Sequence, residues 1–293
     1  MATVSRIIVV LLLLFCSKAV LAQSGARIGM GAAAYGMGNT RLTVGDIWAV
    51  FNNIGALGRS EEMAMGVNVT NQYQVSAFTT VGAVFAAPVN IGNVGGMAGA
   101  GFWHFGDALY SENKVSLGYS HHLGMVSLGV QVNYFQVSVQ EMGTQQAIAL
   151  EFGGVAELRP DLKIGMHIYN FNQAQLADFE DERLPTIMRA GVSYEPIEKL
   201  MINIETEKEV DEPAMFKGGV AYQVLPDKLT LRTGVSSEPF VSYFGLGFRY
   251  KFLVIDYALN THPALDLTHH LSLTYRFEKI RRRRKTTAGN ASH

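Results

Sequence analysis

"LSLTYRF" (residues 271–277) alternates apolar and polar side chains without a break, with Leu271, Leu273, Tyr275 and Phe277 on one face and Ser272, Thr274 and Arg276 on the other. A period of two is the mark of a β-strand with one dry face. Whether a protein core or lipid covers that face decides the fold.

The same period recurs along the chain. In "VSLGYS" (115–120) Val115, Leu117 and Tyr119 oppose Ser116, Gly118 and Ser120; "LKIGMHI" (162–168) and "LTLRTGV" (229–235) repeat the pattern. "MVSLGVQVNY" (125–134) holds Val126, Leu128, Val130, Val132 and Tyr134 on one face, after which the phase flips to Val137 and Val139. About nine residues in phase match the ~9–11 that a tilted strand needs to cross hydrocarbon. Fourteen strands are expected, near 62–70, 75–87, 95–104, 113–121, 125–134, 145–158, 162–170, 186–195, 200–208, 215–225, 228–236, 241–250, 252–260 and 268–277. Connections alternate in length. Those at 122–124, 159–161, 195–199, 225–228 and Lys251 are tight, whereas 170–185, 208–214 and 260–269 are long. An even strand number with short turns on one side and longer loops on the other describes a bacterial outer-membrane barrel. It puts both termini in the periplasm and the acidic "DFEDE" (178–182) outside.

Composition agrees. Charged residues are 17% of the 293, below the roughly 25% of soluble domains, and the apolar fraction of 48% is ordinary. Barrels spread their apolar residues over alternate positions instead of gathering them in runs. A formal net charge of −1 argues against a nucleic-acid partner held by bulk electrostatics. Residues 1–22 read as a secretory signal peptide, with Arg6, the apolar "IIVVLLLLF" (7–15) and "VLA" (20–22) before Gln23. The alternative, a membrane anchor, has an apolar run short of the ~20 residues a spanning helix needs. The one cysteine, Cys16, lies inside the signal. An exported chain without disulfides needs another source of stability, and a closed barrel supplies it.

The strand face opposite the apolar one carries Lys163, His167, Arg189, Lys217, Arg232, Arg249, Asp256 and Arg276. Arg or Lys facing lipid near the midplane costs ~2–4 kcal/mol, so a polar lumen is expected. Among these, Arg189, Arg232, Arg249 and Arg276 are the principal luminal charges. Tyr194, Tyr222, Tyr250, Tyr275 and Phe277 sit beside tight turns or at the chain end, where a periplasmic aromatic girdle would lie. Fourteen strands leave a lumen wider than side chains alone fill. The Gly- and Ala-rich residues 23–60 are therefore expected to form a luminal plug, 61–277 the barrel and 278–293 a disordered periplasmic tail with the basic run Arg281–Lys285. "GMG" at 29–31 and 36–38 lacks the βαβ context of a dinucleotide site. Asn52 and Asn53 suit a helix end or Asx turns. Asp256 suits pairing with an Arg such as Arg249 or Arg276, or contact with a substrate. In the doublets His121–His122 and His269–His270 adjacent side chains point to opposite faces, so neither doublet grips one metal ion from a regular strand. No nucleophile and base stand at a telling spacing. The reading is a non-enzymatic barrel with no cofactor and no metal.

Two stretches carry a family likeness. "GARIGMGAAAYGMGNTRLTVGDIWAVFNNIGALG" (25–58) and "IDYALNTHPALDLTHHLSLTYRF" (255–277) resemble the terminal patterns of the PorV/PorQ family of Gram-negative outer-membrane proteins, within the FadL-like barrel group. Asp266 and His270 depart from the family's Gly and Arg. The resemblance marks Asn52, Asn53, Gly55, Asp256, Tyr257, His262, Thr268 and His269 as positions with a structural or interaction role. It implies a fourteen-stranded outer-membrane barrel with an N-terminal plug, accessory to type IX protein secretion as a shuttle, docking or plug component. Its partners would be outer-membrane lipid, secretion components and secreted cargo. The second expectation is a FadL-like passage for small hydrophobic molecules, which requires an apolar pocket or a lateral opening between strands.

Overall fold

The computed structural model describes residues 29–91, 94–176, 183–210 and 212–277. The signal peptide, the acidic segment 178–182 and the tail 278–293 lie outside the described residues. Three short helices open the described chain: α1 (Ala32–Gly36), α2 (Ala49–Asn52) and α3 (Ile54–Leu57). Fourteen strands follow: β1 (Ala64–Asn71), β2 (Thr79–Ile91), β3 (Val94–Gly106), β4 (Tyr110–Leu123), β5 (Val126–Val139), β6 (Gly143–Arg159), β7 (Leu162–Tyr169), β8 (Ile187–Ile197), β9 (Leu200–Glu209), β10 (Met215–Leu225), β11 (Leu229–Ser236), β12 (Val241–Tyr250), β13 (Leu253–Asn260) and β14 (Thr268–Arg276). Each expected strand has its counterpart.

The strands form one closed antiparallel barrel in sequence order. β1 closes on β14 from Ala64↔Arg276 to Asn71↔His269, so "LSLTYRF" is the seam, and Phe277 donates its N–H to Met63 O at 2.9 Å just beyond it. Closure leaves no sheet edge. Among the described residues the register shifts only beside tight turns, at Glu157/Arg159, Tyr194/Ile197 and Gln223/Leu225. The tight turns, the start of β1 and the end of β14 share one rim, called here the turn end. The opposite rim, the loop end, carries the connection 170–186.

Outside, the alternation makes an apolar belt. Val67, Phe85, Phe102, Leu117, Val132, Phe152, Met166, Ile204, Leu231, Leu246 and Leu273 are exposed from one strand to the next. Water would solvate such a belt badly, at roughly 25 cal/mol for each Å², and hydrocarbon covers it without cost. Tyr194, Tyr222, Tyr250 and Tyr275 stand in the outward row at the turn end.

The wall is uneven in height. β7, β11 and β13 have 8 residues each, while β5 has 14 and β6 has 17. β6 continues well past Glu151, the partner of β7's last residue Tyr169, toward the loop end. In this raised palisade the polarity inverts. Gln136, Ser138, Thr144 and Gln146 point outward, while Phe135, Val137 and Ala147 point inward and are buried. The phase flip seen in the sequence at Val137 is thus no bulge, because β5 pairs β6 without a shift from Val126↔Ala156 to Val139↔Gly143. The strand runs straight through two environments, lipid outside below and apolar filling inside above.

Candidate functional site in the lumen

The segment 29–60 lies inside the barrel. α1 packs on β12 and β13, α3 on β4, β5 and β6. Close approach is bought by missing side chains: a Cβ on Gly55 would stand 2.3 Å from the Gly153 carbonyl carbon, and one on Gly36 2.9 Å from Gly245 Cα. Asn53 caps α3 by accepting the Gly55 N–H through Oδ1 (3.1 Å), while its Nδ2 donates to Leu42 O (2.7 Å) and, across to β6, to Gly154 O (3.3 Å). Asn52 pairs both ways with the Met30 backbone, at 2.8 and 3.1 Å. The Ala32 N–H donates to Ser272 Oγ and Trp48 Nε1 to Thr274 Oγ1, each at 3.1 Å, so the polar face of the opening stretch is the seat of the segment.

A belt of buried charge joins the segment to the wall. Glu205 Oε1 accepts the Arg41 and Leu42 N–H groups at 2.6 and 2.8 Å. Glu207 Oε2 accepts from Arg189 Nε and Lys217 Nζ, both at 2.7 Å, with Arg41 Nη2 3.9 Å away. Arg189 Nη1 donates to His167 Nδ1 (3.1 Å), which leaves His167 Nε2 as the donor to Glu151 Oε2 (3.0 Å). Glu151 Oε1 accepts from Asn133 Nδ2 at 2.8 Å and stands 3.7 Å from Lys114 Nζ. Arg41, Lys114, Arg189 and Lys217 thus face Glu151, Glu205 and Glu207. A network of this kind is weak evidence for stability, yet removing one member strands the others and costs about 3–5 kcal/mol.

Above the belt, toward the loop end, apolar side chains surround the buried Glu112, which stands opposite Val137 and accepts from the Tyr110 hydroxyl at 2.6 Å. Trp103 meets Phe135 edge-on with ring centroids 6.0 Å apart. Tyr169 and Ile187 continue the lining, Val137, Ala147 and Ala149 rise along the palisade, and Leu176 and Leu184 fold in from the 170–186 connection. Asn170 holds that connection in place, donating to Leu184 O (2.7 Å) and accepting from the Ala174 N–H (2.9 Å). Lys114 stands beneath this filling, 5.2 Å over the Tyr169 ring and 6.0 Å from the Phe51 ring of α2. At the other end, a cavity of about 320 Å³ opens between the segment (Met30, Met37, Trp48) and β9–β14, with Arg232, Arg249 and Asp256 on its wall. Asp46 lines it, its carboxyl pushed up to about 7 by burial.

The sequence-derived positions divide by place. Asp256 pairs with Arg232 at 2.7 Å, not with Arg249 or Arg276. The reason is Gly247, which lies between them on β12; a Cβ there would stand 2.5 Å from both Arg232 Nη1 and Asp256 Oδ1. Arg249 binds Asp227 and Arg276 binds Glu62, each at 3.2 Å. Tyr257 and His269 face outward and hydrogen-bond to each other at 2.7 Å. His270 faces inward, between Thr70 Oγ1 (3.0 Å) and Asn260 Oδ1 (2.8 Å), and stacks on Tyr35 at 3.8 Å. His262 and Thr268 belong to the β13–β14 loop and its end, where the Thr268 hydroxyl accepts the Tyr73 N–H and Tyr73 meets His262 edge-on. The lumen is stratified, then, and not uniformly polar. Trp103, Lys114, Phe135 and Tyr169 were not singled out from the sequence; the Val137 and Val139 phase flip was their one signal.

No family model matches the sequence, and no curated protein does either. Solved structures do match in fold. The Pseudomonas putida toluene transporter TodX aligns with a TM-score of 0.61 at 12% identity over 85% of this chain and 98% of its own. The monoaromatic hydrocarbon channel CymD gives 0.64 at 11% over 85% and 98%. A Pseudomonas aeruginosa FadL homologue gives 0.56 at 13%, again over 85% and 98%. The barrel is similar in fold to these three proteins.

Proposed function

We propose that the chain is an outer-membrane passage for small hydrophobic molecules, with the N-terminal segment as its hatch. The observation that carries this is the apolar filling of the lumen toward the loop end. A conduit for ions or sugars has no use for a luminal wall of Trp103, Phe135, Val137, Tyr169 and Ile187, whereas an apolar solute gains roughly 25 cal/mol per Å² on leaving water for it. The fold likeness to hydrocarbon channels supports the same reading. On it, residues 1–22 export the chain, the turn end and both termini face the periplasm, and the apolar belt meets outer-membrane lipid. The charged belt below this filling and the seated segment keep the lumen closed to water between passages.

The type IX accessory role keeps the terminal motifs as its support, and the apolar filling favours the passage. Initial uptake of radiolabelled toluene by cells with a lipopolysaccharide outer leaflet separates the two. Expression of the chain is expected to raise the rate several-fold over the empty vector, and deleting its gene is expected to leave the native secretome unchanged. Equal uptake with and without the protein would overturn the passage.

A further inference from the structure

Asp46 stands where the luminal segment meets both the wall and a cavity. Its Oδ1 accepts the Trp48 N–H at 2.9 Å, and its carbonyl oxygen accepts the Ala49 N–H at 3.2 Å. Trp48 pins this stretch to the wall: its indole donates to Thr274 on β14, and its ring fills the space left by Gly66 on β1, where a Cβ would stand 2.9 Å from it. The stretch thus rests on the seam that closes the barrel. Asp46 also lines the cavity of about 320 Å³. The charges that share this space with it are already matched. Arg232 on β11 holds Asp256 on β13 at 2.7 Å, Arg249 on β12 holds Asp227 and Arg276 on β14 holds Glu62, each at 3.2 Å, and Arg41 of the segment stands 3.9 Å from Glu207. In the β8–β9 turn Glu195 pairs with Lys163, while Glu198 and Lys199 are exposed. Among the described residues no cation lies within ion-pair distance of Asp46.

We infer that Asp46 is a proton-operated latch on the luminal segment: with its carboxyl neutral residues 44–48 stay seated on the seam, and with it ionised they loosen. This rests on the reading of the segment as a hatch and names what regulates it. A carboxylate that shares a cavity with Asp256 and has no cation of its own is stable only with water around it. The cavity gives that water a place beside Trp48. The bond that must yield, Trp48 to Thr274, joins neutral groups and exchanges readily for bonds to water. Burial first, and the Asp256 charge with it, hold the seated carboxyl at about 7 against the pull of the Trp48 N–H, whereas a solvated aspartate titrates near about 4. Seating therefore takes up a proton between these values. Release is least at about pH 4 and below, grows toward tenfold for each unit of pH through that window, and levels above about 7.

The test is thiol labelling of the full chain in detergent. Cys16 is the one cysteine, so with Cys16→Ser in place Ala49→Cys, at a position 1% exposed beside Trp48, supplies a single buried thiol. Its rate of reaction with N-ethylmaleimide is followed from about pH 5 to 8 with Asp46 present and with Asp46→Asn, which keeps the acceptor for the Trp48 N–H and cannot ionise. The readout is the ratio of the two rates. Ionisation of the thiol, and titrations elsewhere such as that of His270 against Tyr35, act on both proteins and cancel. The ratio is expected to rise about fiftyfold from pH 5 to 7 and less than about twofold from pH 7 to 8. Should Ala49→Cys lose the heat-modifiable shift of a folded barrel, acrylamide quenching of Trp48 in Trp103→Phe, where it is the sole tryptophan, reads the same pH dependence. A level ratio with a reactive thiol would overturn the latch and leave the hatch standing. A folded barrel whose thiol reacts at no pH in either protein would overturn both.

Discussion

Glu205 shows how much of this molecule is held by single atoms. One of its oxygens accepts two consecutive backbone N–H groups of the luminal segment, so Glu205→Ala leaves both donors buried without a partner, at about 1–3 kcal/mol each. Glu205→Gln keeps the oxygen and loses only the charge. The alanine variant is expected to lose the fast-migrating folded band at a lower temperature in heat-modifiable gels, with the glutamine variant between it and the parent. A glutamine variant as damaged as the alanine one would show that charge and not the acceptor holds the segment. Nothing in "NIETEKE" marks Glu205 apart from Glu207, since both alternate onto the same face. That face was legible from period two; the partners of Glu205 were not, because Arg41 and Leu42 lie 164 and 163 positions away in sequence. Asp256 makes the same point. Its luminal placement followed from alternation, but its choice of Arg232 depended on a glycine on the intervening strand.

Strands were the most legible elements, since each is written locally in alternation and bounded by turn residues. β5 holds the exception and its lesson. Its outward row changes from Val130, Val132 and Tyr134 to Gln136 and Ser138, while its inward row changes from Gln131 and Asn133 to Phe135 and Val137. Alternation reports polarity and not direction, so a change of surroundings along a straight strand reads as a change of register. The inversion locates the edge of the hydrocarbon between Tyr134 and Gln136. Val132→Arg is expected to cost about 2–4 kcal/mol and to lower the folded fraction in lipid vesicles, whereas Gln136→Arg, two pairs of residues along on the same outward row, is expected to assemble as the parent does. Equal loss in both would move the lipid boundary to the top of the palisade.

At the scale of the whole molecule, wall and filling are separable. The wall is closed by its own ladder from β1 to β14, and an interior of this strand number is too wide for its own side chains to block along its full height. On the proposed reading, blocking is divided between the apolar filling at the loop end and the segment 29–60 below it. Deletion of residues 29–60 discriminates their shares. It removes Arg41 from the belt and Phe51 from beneath Lys114, but Glu207 keeps Arg189 and Lys217, and Glu151 keeps His167. The barrel is accordingly expected to fold, with its heat-modifiable shift retained. Water then reaches the belt from the turn end, and Lys114, freed on one side, is hydrated in place of its contact with Phe51. If the segment is the hatch, single-channel conductance in planar bilayers rises by at least about tenfold over the parent. If conductance stays at the parent level while the fold persists, the apolar filling alone closes the lumen, and the segment's hydrogen bonds to Ser272, Thr274 and Glu205 serve assembly of the wall and not its gating.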